Sequence, residues 1–266
     1  MPTVFDYQLY RDIVETSFTE RKVLTGGEPL LMKLSYKYHQ ARVCFLTLKA
    51  FIFLKIFYSE IVQLQYKNRR QGGLSGKYQW LRLAEIAAFV KKFRPGSVCE
   101  FGAGTSSALF ARLIGADFVT HEESPYWRER LLDAAQGLAH KFNVILADRV
   151  VEQKDGEAVT CYNFAHDKYY DLVYVDGLQS TPPEGAENLV IKDPWNGLPN
   201  IDVELFWQNN IFPKIIVVDG RRPTVRRLIE KCQDRYLVHL KTDFYMNMNI
   251  PHFAEYRYHT VFVRKD

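Results

Sequence analysis

Five carboxylates each follow an apolar segment of the chain, at the point where that segment ends. They are Glu100, Glu122, Asp148, Asp176 and Asp219. Carboxylates accept hydrogen bonds from hydroxyl or ammonium groups of a ligand, and one of them could take a proton as a general base. If the apolar segments are parallel strands, all five acids lie at the one edge of the sheet where open α/β sheets bind ligands. The pattern therefore predicts a binding or catalytic site at that edge.

A Gly-x-Gly turn follows the first of these acids. Gly102 and Gly104 lie directly before a helical segment that begins with Thr105 and Ser106. Glycine lets the backbone turn sharply, and the amide groups at a helix N-terminus bind anions. Many nucleotide-binding folds use such a turn. Here Glu122 follows Gly102 at about the distance expected of an acid that binds a ribose.

The elements that position these residues follow from the order of the apolar segments. From Ser97 onward strands and helices alternate, which predicts an α/β fold with a doubly wound, mainly parallel sheet covered on both faces. The predicted strands begin at Ser97, Phe118, Asn143, Tyr170 and Lys214. The predicted helices cover residues 105–114, 126–142, 203–209 and 223–234, and two closing strands cover residues 235–244 and 255–263. Residues 149–169 lack a clean periodicity and are predicted to be a crossover.

Residues 1–92 are predicted to be an N-terminal helical extension to a domain over residues 93–266. The run 43–62 would be apolar on nearly every side of a helix, but Lys49 and Lys55 interrupt it. Because a membrane-spanning helix needs about 20 largely uncharged residues, we expect a helix that packs in the core, forms a homodimer interface or lies in a membrane surface. A basic, glycine-rich stretch precedes a further helix predicted over residues 80–93.

Charge is divided unevenly along the chain. Residues 1–92 contain 15 Lys/Arg and 7 Asp/Glu, a balance of +8, whereas the remainder contains 20 and 24, a balance of −4. The basic part faces an anionic partner or forms a solvated face. Four scattered cysteines argue against a zinc site and a disulfide framework, and favour a reducing compartment. Since the N-terminus lacks the pattern of a signal peptide, we expect a cytoplasmic protein, or one peripheral to a membrane.

The glycine turn and the strand-end acids together resemble the class I S-adenosylmethionine-dependent methyltransferases. The motifs that carry the resemblance are Glu-Phe-Gly-Ala-Gly-Thr-Ser (residues 100–106), Val-Thr-His-Glu-Glu-Ser-Pro-Tyr-Trp (119–127) and the Asp-Gly pairs that end the fourth and fifth strands. The resemblance covers residues 93–266. It implies a Rossmann-like methyltransferase fold with a terminal antiparallel strand pair, and S-adenosylmethionine as the cofactor.

The parts of S-adenosylmethionine need different partners. The resemblance assigns the backbone amides of residues 102–106 to its carboxylate and Glu100 to its ammonium group. Glu122 is assigned to the ribose, because two carboxylate oxygens match a diol. Asp148 could accept a hydrogen bond from the amino group of the adenine. The alternative for these acids is simple solvation at the ends of the strands.

Asp176 and Asp219 are expected near the transferred methyl group. One could be the general base for a hydroxyl acceptor, or both could bind a divalent cation, as in the metal-dependent catechol-type methyltransferases. Gly220 stands where that family usually has a further ligand, so we expect no metal. Asp219 could instead cap the next helix, and His121 and His166 are further candidates for a base. No Asn/Asp-Pro-Pro-Tyr/Phe tetrad follows the fourth strand, which favours an oxygen acceptor, and we expect no nucleic-acid partner.

The acceptor is expected to meet the arginines that follow the fifth strand. Arg221 and Arg222 suit a carboxylate or phosphate group, which favours a small or sugar-like, anionic acceptor; surface salt bridges are the alternative. Arg226 and Arg227, one turn later, are expected on a solvated helix face. Trp195 lies in a long insertion after the fourth strand and could shield the acceptor from water.

Two other functions stay open. A dehydrogenase that uses NAD normally has a third glycine in its phosphate turn, where this chain has Ser107, and the closing antiparallel strands also disfavour it. A non-catalytic protein of the same fold could bind S-adenosylmethionine or a nucleotide, or act as a scaffold through its basic N-terminal region.

Overall fold

The computed structural model describes residues 30–70, 79–114, 117–135, 143–177, 190, 197–232, 235–239 and 259–265. A seven-stranded sheet with the order β3-β2-β1-β6-β7-β9-β8 forms its centre. The strands of this sheet are β1 (Val98–Phe101), β2 (Phe118–Glu122), β3 (Val144–Leu146), β6 (Leu172–Val175), β7 (Ile215–Asp219), β8 (Tyr236–His239) and β9 (His259–Arg264). The first five of them run parallel, and β9 pairs antiparallel with both β7 and β8. The predicted doubly wound, mainly parallel sheet with closing antiparallel strands is confirmed.

Helices cover both faces of the sheet. They are α1 (Leu30–Phe57), α2 (Ser59–Arg70), α3 (Gln79–Phe93), α4 (Thr105–Ile114), α5 (Pro125–Ala134), α6 (Asp202–Gln208) and α7 (Arg222–Cys232). Side chains from α1 to α5 share one buried cluster with alternate residues of the strands, and side chains from α6 and α7 share a second cluster with the residues between them. Because successive strand residues point to opposite faces, the two clusters mark the two sides of the sheet.

The apolar N-terminal run forms two helices where the sequence predicted one. A break at Tyr58 separates α1 from α2, and the Tyr58 amide still donates to the carbonyl of Leu54 at 2.7 Å. One side of these helices is buried in the core, including Ala50, Leu54 and Ile61. The opposite side of α1 exposes the apolar side chains Phe45, Leu48, Ile52 and Ile56. Among the described residues, no helix is both long enough and apolar enough to cross a bilayer.

The predicted crossover after β3 contains a β-hairpin. Strands β4 (Arg149–Lys154) and β5 (Glu157–Tyr162) pair antiparallel around Asp155 and Gly156, which both have positive φ, at 53° and 75°. That geometry favours an Asp-Gly pair, which is a strong hairpin signal in a sequence. The hairpin within this crossover was not predicted, because the Asp-Gly turn signal was not used.

The remaining predicted elements differ from the structure mainly in their ends. The helix predicted over residues 126–142 is described only as α5, and residues 136–142 lie outside the described part of the chain. The closing strands are shorter than predicted, and residues 240–258 between them also lie outside it. The helices predicted over residues 80–93, 105–114, 203–209 and 223–234 are present as α3, α4, α6 and α7.

Candidate functional site

Three of the strand-end acids point to the same side of the sheet. Glu100 is in register with Tyr174, whose side chain lies in the buried cluster under α3 and α4. Asp176 and Asp219 follow Tyr174 and Val217 of the same cluster by two positions. The alternation of strand side chains dictates this shared side. A side chain from the facing helix layer can therefore reach more than one of these acids.

Arg82 of α3 contacts two of the acids at once. Its Nη2 lies 2.9 Å from Asp176 Oδ2 and also contacts Asp219 Oδ2. The Asp219 side chain is 5 % exposed and that of Asp176 is 30 % exposed, so Asp219 depends more on a cationic partner. Sequence reasoning missed Arg82, although Arg82 and Glu85 are the two charged residues in the otherwise apolar part of α3.

A group of buried polar side chains also contacts Asp219. The Tyr174 hydroxyl donates to Asp219 Oδ2 at 2.8 Å. The same hydroxyl lies 3.1 Å from His259 Nε2, and His259 Nδ1 lies 2.6 Å from Glu85 Oε2. Within the described part of the chain, the contacts of Asp219 all use Oδ2, which leaves Oδ1 for a ligand.

The glycine turn closes against the loop that follows β6. Gly102 has a φ of 96°, and a Cβ placed there would lie 2.1 Å from Gly177 Cα. No side chain fits at either glycine, because the ends of β1 and β6 touch there. These strands flank the switch point of the sheet, where ligands of open α/β folds bind. Gly104 differs, since a Cβ there would meet only Ser106 Oγ at 3.7 Å.

Glu100 is fully buried beneath this turn. Ser107 Oγ donates to Glu100 Oε2 at 2.6 Å and accepts from the Gly104 amide at 2.8 Å. Among the described residues, Oε1 has no hydrogen-bond partner, and the hydroxyls of Ser106 and Thr120 lie close to the carboxyl. Burial raises the pKa of Glu100 to about 8, although the neighbouring hydroxyls act in the opposite direction. Glu100 is therefore an acid with an unsatisfied oxygen at the centre of the predicted site.

Glu122 links the end of β2 to the glycine turn. Its Oε2 accepts from the Ala103 amide at 3.0 Å, and its Oε1 accepts from the Ser124 amide at 2.9 Å. Burial raises the pKa of Glu122, and the two amide bonds oppose that shift. Ser124 in turn caps α5, with Pro125 at the start of the helix, so the local sequence fixes the position of the acid.

The other predicted cofactor residues surround the same turn. Thr105 and Ser106 are buried at the start of α4, and Thr105 Oγ1 donates to Gln65 Oε1 of α2 at 2.6 Å. Asp148 is exposed after β3, and its carbonyl accepts from the Asn163 amide at 2.8 Å. A pocket beside the turn is lined by Leu64, Ala103, Gly104, Thr105, Trp127, Arg130 and Leu131.

The predicted acceptor residues are only partly described. Arg221 and Arg222 are half-buried at the start of α7, and Arg221 Nη2 donates to the carbonyl of Asp176. Trp195 lies outside the described residues. The prediction of a solvated face for Arg227 was wrong, because Arg227 is 2 % exposed and pairs with Glu157 and Glu204.

The two histidines considered as bases lie on the opposite side of the sheet. His121 stacks on Phe164 with ring centroids 4.0 Å apart, and Phe164 in turn contacts the His166 ring. His166 Nε2 lies 2.8 Å from Asp202 Oδ1. Burial and the neighbouring His166 lower the pKa of His121 to about 4. These contacts place both histidines in the core under α6, on the other side of the sheet from Asp176 and Asp219.

No group of three or more His, Cys, Asp or Glu side chains in the described part of the chain is arranged to hold a metal ion. The space between the two strand-end aspartates instead contains the guanidinium of Arg82. The single charge of this guanidinium offsets one of the two negative charges of the aspartates and holds both carboxylates in place.

No protein-family model matches the chain, and no curated protein matches it. Solved structures with a similar backbone include an O-methyltransferase from Bacillus cereus in complex with SAH, with 12% identity over 80% of this chain and 96% of that chain, at a TM-score of 0.48. An O-methyltransferase from Streptomyces achromogenes in complex with SAM is 15% identical over 81% of this chain and 95% of that chain, at a TM-score of 0.45. An SAH-bound methyltransferase from Podospora anserina is 13% identical over 98% of this chain and 97% of that chain, at a TM-score of 0.44.

Proposed function

We propose that this chain is an S-adenosylmethionine-dependent methyltransferase that methylates a hydroxyl group of a small, anionic acceptor. The observation that carries the proposal is Oε1 of Glu100, which is buried directly beneath the glycine turn and has no hydrogen-bond partner in the described part of the chain. A buried acceptor without a partner costs free energy. The ammonium group of S-adenosylmethionine would satisfy it, directly or through a water molecule.

The other residues around the turn fit the remaining parts of the cofactor. The amides at the start of α4 would bind its carboxylate. Glu122 already accepts one amide bond on each oxygen, but a carboxylate oxygen accepts two, so each can still accept a ribose hydroxyl. Asp148, exposed beyond β3, would accept from the adenine amino group.

The chemistry needs orientation and a proton acceptor. Bound S-adenosylmethionine supplies an electrophilic methyl group on its sulfonium. Asp219, whose contacts with other described residues use only Oδ2, would take the proton of the acceptor hydroxyl as the oxygen forms its bond to the methyl carbon and the carbon–sulfur bond breaks. Asp176 would flank the same position, and Arg82 would hold both carboxylates in place. Arg221 and Arg222 would bind an acidic group of the acceptor, and Trp195 would cover it.

Two rival functions make different predictions for one experiment. A dehydrogenase would bind NAD or NADP, and a non-catalytic protein would bind S-adenosylmethionine without turnover. Ser107, at the position of the third glycine, is bonded to both Glu100 and the Gly104 amide, and this supports the methyltransferase. Calorimetry with S-adenosylmethionine, its demethylated product, NAD and NADP tests the proposal. We expect binding of the first two only, and binding of NAD alone would contradict it.

We further propose that the exposed apolar side of α1 contacts a second copy of this chain. Phe45, Leu48, Ile52 and Ile56 lie on this side and are between 47% and 68% exposed, and contiguous apolar surface of this kind marks interaction sites. Light scattering of the wild type and of Ile52→Glu tests this. A monomeric wild type that sediments with anionic liposomes would instead assign the surface to a membrane.

A further inference from the structure

Three buried polar side chains form a chain behind Asp219. The Tyr174 hydroxyl lies 2.8 Å from Asp219 Oδ2 and 3.1 Å from His259 Nε2. On its other side, the His259 ring presents Nδ1 to Glu85 Oε2 at 2.6 Å. The three residues come from β6, β9 and α3, so the fold brings them together from distant parts of the sequence.

The burial of this group is unusual for its chemistry. Tyr174, His259 and Glu85 are each 1% exposed. Carboxylates and imidazoles are rarely buried to this extent unless they are paired, because the loss of hydration is costly. Phe89 packs edge-on against the His259 ring, with centroids 5.2 Å apart. The hydrogen bonds within the chain therefore replace contacts with water.

The Tyr174 hydroxyl has a single proton and two candidate acceptors. If His259 Nε2 carries no proton, it competes with Asp219 for the bond that Tyr174 can donate. If Nε2 carries a proton, it donates to the Tyr174 oxygen, and the Tyr174 proton can go only to Asp219. A neutral ring that donates from Nδ1 to Glu85 would leave Nε2 bare, so the second arrangement needs a ring protonated on both nitrogens. Glu85 favours that ring, because its carboxylate, 2.6 Å from Nδ1, pairs with the positive charge.

We infer that Glu85, His259 and Tyr174 are positioning residues for Asp219: His259 donates from Nε2 to Tyr174, and Tyr174 donates to Asp219 Oδ2. This inference rests on the proposed role of Asp219 as the base. The bond to Oδ2 fixes the rotation of the carboxylate, and Arg82 contacts the same oxygen. Oδ1 is thereby directed away from the core and toward the acceptor, while Arg82 contacts both acids.

The ionisation of the phenol is consistent with this direction of donation. Burial, followed by the charge of Asp176, raises the pKa of Tyr174 well above its ordinary value. The side chain therefore keeps its proton throughout the working range of pH. A neutral phenol accepts one hydrogen bond from His259 while it donates another to Asp219.

Nitrogen NMR of the full chain, labelled with 15N-histidine, tests the inference without an acceptor. The chain has seven histidines, and the signal lost in His259→Gln identifies His259. The measured quantity is the share of His259 that carries a proton directly bonded to Nε2 at pH 7. Asp219→Ala removes the final acceptor of the chain. Asp176→Ala is the matched control, because Asp176 pairs with the same arginine but makes no hydrogen bond to Tyr174 within the described contacts.

We expect a bonded proton on Nε2 in the wild type, a reduced share in Asp219→Ala and an unchanged share in Asp176→Ala. A bare Nε2 in the wild type, or an equal loss in both variants, would overturn the inference. Calorimetry of the wild type with S-adenosylmethionine separates this result from the wider proposal. Failure to bind the cofactor would refute the proposed function, whereas normal binding with a bare Nε2 would refute only the positioning role.

Discussion

Two arginines sit at the centre of two charge clusters, one on each side of the sheet. Arg82 of α3 contacts Asp176 and Asp219. Arg227 of α7 contacts Asp155, Glu157 and Glu204, with its Nη1 2.9 Å from Glu157 Oε1 and its Nη2 2.6 Å from Asp155 Oδ2. Both arginines contact carboxylates, but the two clusters differ in how completely their charged groups are paired.

The Arg227 cluster is closed. Arg227 is 2% exposed and is bonded through Nε, Nη1 and Nη2, which ties the β4–β5 hairpin and α6 to α7. The Arg82 cluster is open, because Asp176 is 30% exposed and the contacts of Asp219 with other described residues use only Oδ2. Complete pairing is typical of an ion network that stabilises a fold, whereas an incompletely paired cluster at the carboxyl edge of a sheet is typical of a site.

Of the changes to the Arg82 cluster, removal of the proposed base, Asp219, should have the largest effect. Asp219→Asn keeps the shape of the side chain but cannot take a proton. We expect the rate of labelled methyl transfer to fall by about 10²- to 10⁴-fold, with little change in the affinity for S-adenosylmethionine. The assay uses a panel of hydroxyl acceptors with and without carboxylate or phosphate groups. Full transfer by this variant would remove Asp219 from the chemistry.

Breaking the ion pairs of the Arg227 cluster should instead lower the free energy of unfolding. Arg227→Met leaves Glu157 and Glu204 buried with fewer partners, and we expect the free energy of unfolding to fall by about 3–5 kcal/mol. Urea denaturation measures this change. The matched control is Arg226→Met, because Arg226 is 27% exposed and its ion pair is with Glu157. This change should lower the free energy of unfolding by less than about 1 kcal/mol. Equal losses in the two variants would contradict the distinction between the clusters.

Binding of S-adenosylmethionine should change the protonation of the buried Glu100. Because its pKa is raised to about 8 by burial, the carboxyl holds its proton at pH 7. A cationic ammonium beside it would lower that pKa, so binding of S-adenosylmethionine should release up to one proton. The binding enthalpy should then vary with the ionisation enthalpy of the buffer, and Glu100→Gln should remove the variation. An enthalpy independent of buffer in the wild type would contradict the role given to Glu100.

The sequence was informative where local patterns decide the structure. The glycine turn at Gly102 and the alternation of strands and helices predicted the sheet and the edge at which Glu100, Asp176 and Asp219 lie. Their shared side of the sheet also follows from the two-residue period of a strand. The Asp155-Gly156 hairpin could have been predicted from the same kind of signal.

The parts that were missed depend on contacts between distant residues. Arg82 and Asp219 are separated by 137 positions, and Glu85 and His259 by 174. No local pattern joins such pairs, so Arg82 was assigned to an extension apart from the site. Gly177 was predicted only to follow the end of a strand. Its contact with Gly102 was missed, because that contact arises when β1 and β6 become neighbours. The sequence could not separate Arg227 from an exposed arginine for the same reason.

We propose that the carboxyl edge of the sheet binds S-adenosylmethionine through Glu122, the acid that ends β2. Calorimetry of Glu122→Gln tests it most directly, with Glu123→Gln as the neighbouring control. We predict that Glu122→Gln weakens binding of S-adenosylmethionine by about 1–3 kcal/mol, the scale of hydrogen bonds to a charged group, and that Glu123→Gln binds as the wild type does. Unchanged affinity in a folded Glu122→Gln variant, or no binding by the wild type, would contradict the account.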